Sequence, residues 1–218
     1  MNFAAVLRLS TATALLLLGP SLALAQQQQR PGPTPAARPT PAADAKFDFT
    51  PKVGELVSDG YPAIVVFFQD GAYPMQLNKP EGWKVAGSAA QMTFENPAFP
   101  GAYITLRSSS LPPPPKFDES WIEQTKPLIL ASAPKDANKP KILSATPDGF
   151  NIAGWKSMEF KQEYESTGRR LNQDWLFLLL NDGRFLEVIT SAREENFPAV
   201  RSATLQIMAG FSRVPPKP

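Results

Sequence analysis

The 218-residue chain contains no histidine and no cysteine. The first absence removes the commonest general base and the commonest metal ligand. The second removes thiol catalysis, disulfides and a thioether-linked lipid anchor. Zinc, copper and iron sites lose their usual donors with them, which leaves an all-oxygen Ca²⁺ or Mg²⁺ site as the conceivable metal centre. Ser-His-Asp and Cys-His catalysis are excluded outright. No metal ligand, cofactor or catalytic residue is assigned.

An excess of charge of either sign is also lacking. Lysine and arginine number 22 against 20 acidic residues, a formal charge of +2. Such a chain has no general attraction for nucleic acid or anionic lipid, and no nucleic-acid partner is expected. Long apolar runs are missing after residue 25. The longest, Trp175–Leu180, is far short of the ~20 residues that span a bilayer.

Residues 1–25 read as a secretory signal peptide. Arg8 supplies the charge, Ala14–Leu18 the apolar stretch, and Gly19-Pro20 a helix break. Ala23-Leu24-Ala25 is a small–x–small cleavage site. Cleavage would remove Arg8, bring the formal charge from +2 to +1, and leave no integral membrane segment. An uncleaved signal would instead be an anchor.

Residues 26–45 are rich in glutamine, proline and alanine. They have too little apolar surface to offset ordering entropy and are expected to be a disordered linker. Residues 46–214 form a single domain, and 215–218 a tail. A core of that size needs no covalent staple.

Within the domain, Ala63–Gln69 is β-branched and aromatic, and Asp70-Gly71 turns it into Ala72–Leu77. Gln91–Glu95 and Ala102–Ser108 are further strands. Phe47–Leu56 is a leader of no assigned type. Asp118 suits the N-cap of a helix carrying the stripe Trp121, Ile122, Thr125, Leu128 and Ile129. Pro127 is expected to kink that helix or end it early.

In Trp155–Ser166, Met158, Phe160, Gln162 and Tyr164 alternate with Glu159, Lys161, Glu163 and Glu165, one face buried and one wet. Thr167–Arg170 is expected to be a four-residue turn, which sets Glu163 opposite Asp174. Leu171–Leu180 is apolar on both faces around Trp175–Leu180 and must be covered on both. Asp182-Gly183 marks a two-residue hairpin turn into Phe185–Ser191. Asn196 starts a closing helix with the stripe Val200, Thr204, Ile207, Met208 and Phe211. The expected fold is α+β: an antiparallel sheet of six to seven strands covered by helices, an α/β/α sandwich. Phe160, Trp175, Phe177, Leu179 and Val188 are expected to be nearly fully buried.

Three stretches then stand out in order. Pro80–Trp83 reads P-x-G-W, Thr93–Ser109 reads TF-x-NP…AYITLRSS, and Gly210–Val214 reads GF-S-x-V after the last helix. With the order of elements between them, Ala72–Val214 resembles the PsbP-like superfamily. That group holds the extrinsic photosystem II subunit, DcrB-like proteins and Ran-binding Mog-like proteins. The resemblance implies the α/β/α sandwich and binding or accessory roles. It transfers no catalytic or metal site.

Glu159, Glu163 and Glu165 are the carboxylates from which a hydrolase would have to be built, but a wet strand face already explains them. Arg169-Arg170 and Arg184 sit at opposite ends of one strand and make no single basic patch. Trp121 and Trp175 lie on buried stripes. Trp83 and Trp155 follow glycine at strand starts, and with Phe99 and Tyr103 from the Pro97–Tyr103 loop they make the candidate binding surface. The expected function is that of an exported, non-enzymatic binding or accessory protein of the bacterial envelope. It would be periplasmic or secreted, monomeric, and partnered by an envelope protein or small ligand. An envelope hydrolase using carboxylates or serine is one alternative. A structural envelope component anchored by an uncleaved signal is the other.

Overall fold

The computed structural model describes residues 46–58, 61–108, 116–148, 152, 154–180 and 183–214. The signal, the linker, the tail and the four prolines within Leu111–Lys116 lie outside them. The described chain is α+β with antiparallel strands, arranged in two sheets rather than one.

The larger sheet has seven strands. These are β4 (Lys84–Gly87), β5 (Gln91–Glu95), β6 (Tyr103–Ser108), β7 (Asn138–Pro147), β8 (Lys156–Ser166), β9 (Arg169–Leu179) and β10 (Phe185–Arg193). Their spatial order is β4-β5-β6-β10-β9-β8-β7. The smaller sheet joins β1 (Phe47–Ser58), β2 (Tyr61–Asp70), β3 (Tyr73–Asn78) and β11 (Ser212–Arg213) in the order β1-β2-β3-β11. The leader is therefore a full strand, and the expected 63–77 hairpin belongs to this second sheet. Gly82, at φ +77°, turns the chain between β3 and β4, which do not pair.

Period-two patterning explains why the smaller sheet packs. Phe47, Phe49, Val66, Phe68, Met75 and Leu77 share its inner face and are all buried. They join one core with Ile104, Leu106, Leu176, Leu178, Leu186 and Val188 of the larger sheet. Helix α2 (Phe197–Ala209) closes that core with Val200, Ala203, Ile207 and Met208. Its C-terminal Gly210 lies so close to Asn78 that a Cβ there would collide with it.

The opposite face of the larger sheet carries Met158, Phe160, Trp175, Phe177 and Ile189. Helix α1 (Glu119–Ala131) covers it through Trp121 and Ile129. Asp118 caps α1 as expected, its Oδ1 accepting from Trp121 N at 2.9 Å. Pro127 does not end the helix, which runs on to Ala131. Strand β9 is thus covered on both faces. Leu179, expected in the core, is only half-buried, because it ends β9 beside the turn.

Two turns differ from expectation and reset the register. Ser166 pairs with Arg169, so Thr167 and Gly168 alone make the turn, at φ +50° and +72°. Glu163 consequently faces Asn172, and Lys161 faces Asp174. At the other end of β9, Leu180 N donates to Arg184 O, and Gly183 N to Leu180 O. That pairing is one residue out of step with a two-residue turn. Residues 181 and 182 themselves lie outside the described set.

Candidate functional site

The Pro97–Tyr103 loop is built locally. Asn96 Oδ1 accepts from Ala98 N at 2.9 Å, an Asx turn that starts the reversal. Phe99 N donates to Asn96 O, and Ala102 N to Phe99 O. Gly101 takes φ +81°, where a side chain would be strained. The loop folds back over the β4–β5–β6 edge and leaves a cleft of about 290 Å³. Lys84, Glu95, Asn96, Phe99, Pro100 and Tyr103 line it. Lys84 and Glu95 are cross-strand partners, so the rim carries both charges.

The four sequence candidates divide. Phe99 and Tyr103 line the cleft. Trp83 does not reach it. It is 4 % exposed and packs behind Phe99 at a ring distance of 6.3 Å. A tryptophan directly after a turn glycine is here the first core residue of the sheet, so it cannot serve as a contact surface. Trp155 is half-buried and packs edge-on against Phe211 at 4.8 Å. It precedes the Lys156–Leu179 pair, whereas Tyr103 shares a cross-strand row with Ser191, Gln173 and Gln162. The separation along β8 is about 20 Å at strand rise, so Trp155 does not join the others.

Behind Tyr103, that row runs inward across four strands. Gln173 Nε2 donates to the Tyr103 hydroxyl at 3.1 Å, and Gln173 Oε1 accepts from Trp175 Nε1 at 2.9 Å. Gln162 and Ser191 are each 1 % exposed; both amide atoms of Gln162 lack a hydrogen-bond partner, whereas the Ser191 hydroxyl faces the Tyr164 phenol. The Tyr164 phenol, 2 % exposed, is pushed up by burial, an effect that Ser191 opposes and that the nearby Tyr103 and Asp136 reinforce.

The other face of the same strands holds a charge cluster that the sequence pattern hides. Glu159 and Asp174 are each 5 % exposed, so β8 has no uniformly wet face. Arg201 from α2 donates to Asp174 Oδ2 through Nε at 2.9 Å and to Glu159 Oε1 through Nη2 at 2.8 Å. Lys161 Nζ lies 3.7 Å from Glu159 Oε2. Burial, reinforced by the Glu159 charge, lifts Asp174 to about 6 against the opposing pull of Arg201. Burial draws Arg201 down, but its two carboxylates outweigh this and hold it above its usual value. Arg201 follows Val200 of the apolar stripe, a position that reads from sequence as solvent-facing. The other carboxylates considered for hydrolysis are paired outward, Glu163 with Lys141 at 3.0 Å and Glu165 with Lys139 at 3.6 Å. Among the described residues, no group of three acidic side chains is placed to hold a metal. None of their helices is long and apolar enough to cross a membrane.

No protein-family model matches the chain, and no curated protein matches it in sequence. Solved structures similar to it include LpqN of Mycobacterium tuberculosis, involved in cell envelope biogenesis, at 14 % identity and TM-score 0.42. That match covers 76 % of this chain and 92 % of LpqN. A Pseudomonas aeruginosa protein of unknown function matches at 16 % identity and TM-score 0.41, over 76 % of this chain and 98 % of its own. CyanoP, the PsbP of Synechocystis, matches at 12 % identity and TM-score 0.43, over 64 % of this chain and 86 % of its own. At such identities and TM-scores, function has to be argued from this chain's own residues.

Proposed function

We infer that this is an exported, non-enzymatic binding or accessory protein of the bacterial envelope. The observation that carries the reading is the cleft at the β4–β6 edge. It combines an aromatic wall, Phe99 and Tyr103, with a rim bearing Lys84 and Glu95, the mixture a small-molecule or peptide site requires. The signal-like residues 1–25 support export to the periplasm or beyond. The buried carboxylates do not support a hydrolase, because Arg201 ties Glu159 and Asp174 to α2. The test compares wild type with Phe99→Ala and Lys84→Glu in affinity capture from the envelope fraction. Both variants are expected to keep native circular dichroism and lose the captured partner. Unchanged capture by both would remove the cleft as the site.

A further inference from the structure

Four neutral polar side chains sit side by side across the α1-covered face of the larger sheet: Tyr103, Ser191, Gln173 and Gln162. Tyr103 is at once a wall of the cleft and the cover over this row, since its register partner is Ser191 and its hydroxyl holds Gln173. Gln173 spends its amide on Tyr103 and Trp175. It is thereby turned from Gln162, whose donor and acceptor both stay unmet at 1 % exposure, while the Ser191 hydroxyl faces the Tyr164 phenol. Buried polar groups are almost always satisfied, and each exception calls for an explanation. Here both amide atoms of Gln162 are orphaned, in a row whose outer member, Tyr103, is also a wall of the cleft.

Resting on the cleft reading above, we propose that this row is the inner end of the binding site and takes a neutral ligand bearing hydroxyl and amide groups, of the N-acetylated sugar type. A side-chain amide offers one donor edge and one acceptor, which an acetamido group matches with both of its own. The Ser191 hydroxyl, which Tyr164 engages on one side, has a second hydrogen-bonding direction that suits a sugar hydroxyl. No charged side chain stands in the row, so an anion or cation would lose its hydration there without an opposite charge. Phe99, on the cleft wall, offers an apolar face to the ring. Rotation of Tyr103 away from Gln173 is the entry step, and its hydroxyl is then free for the ligand.

Calorimetric titration of the full chain with N-acetylglucosamine, with glucose and acetate alongside, tests this. Saturable binding of N-acetylglucosamine is expected, weaker binding of glucose and none of acetate. Ser191→Ala and Gln162→Leu should each weaken binding at least tenfold while thermal unfolding stays cooperative. If Gln162→Leu fails to fold, Ser191→Ala alone decides. No saturable heat with either sugar, or affinities unchanged in the folded variants, overturns the proposal and leaves the row as a site for buried water. If the sugars fail while Phe99→Ala still abolishes partner capture, the cleft reading stands and only its inner extension falls. If the sugars bind while Phe99→Ala and Lys84→Glu leave capture intact, the row stands and the partner surface lies elsewhere.

Discussion

Arg201 Nε donates to Asp174 Oδ2 at 2.9 Å, and its second bond goes to Glu159. One cation on α2 therefore serves two carboxylates on neighbouring strands. Lys161 completes a cluster of two positive and two negative groups. Its arrangement locks α2 onto the sheet and gives the fold a pH dependence.

Asp174 has a folded pKa of about 6 against an ordinary 3.8, chiefly because burial disfavours its charge. A raised folded pKa means that the folded state binds the proton more tightly than the unfolded chain does. The resulting stability is fully present below about pH 4 and is lost as pH rises through about 6. A shift of this size corresponds to about 3 kcal/mol. Asp174→Asn should remove this dependence. From pH 4 to pH 7 its unfolding free energy, relative to wild type, should rise by up to about 3 kcal/mol in urea titrations. A constant gap between the two proteins would show that Asp174 titrates normally.

Removing the cation should be worse than removing either anion. Arg201→Met leaves two buried carboxylates without their shared partner, and breaking such a cluster costs about 3–5 kcal/mol. Denaturant unfolding at pH 7 measures it. A loss under about 1 kcal/mol would mean that water or Lys161 already screens the pair.

The two-faced apolarity of β9 places Phe177 under α1, wholly buried against Trp121, Phe160 and Trp175. Truncation there leaves a cavity under a helix that cannot collapse onto it. Phe177→Ala should cost about 3–5 kcal/mol in denaturant titration. A loss under about 1 kcal/mol would contradict this packing.

Local periodicity made much of this fold legible. The Asp118 cap, the α2 stripe and the alternation of Met158, Phe160 and Tyr164 are short-range patterns, and the structure keeps them. Long-range facts were not legible. Nothing between Phe47 and Leu77 states that these strands leave the main sheet, because sheet membership depends on which partners are met in space. The Glu159 and Asp174 burial was hidden because the Arg201 that covers them lies 27 residues beyond Asp174. The Thr167-Gly168 turn misled because a threonine rarely adopts φ +50°. At the site, Phe99 and Tyr103 were legible as aromatics in a proline- and glycine-rich loop. Ser191 and Gln162 were not, since a polar residue on a strand reads as solvent-facing until a helix covers it.

Trp83 and Phe99 touch, yet they should respond in opposite ways. Trp83 is 4 % exposed and belongs to the larger core, so Trp83→Ala removes a buried indole. That should cost about 3–5 kcal/mol. Phe99 is only half-buried and lines the cleft, so Phe99→Ala should cost about 1 kcal/mol, as half-exposed positions do. Trp155, half-buried against Phe211, should fall between them and leave cleft binding unchanged. The three single variants, followed by denaturant unfolding and by capture of the envelope partner, separate core from surface. Loss of stability without Phe99, or loss of capture without Trp155 in a folded protein, would reverse these assignments and move the binding surface to the Trp155 end of the sheet.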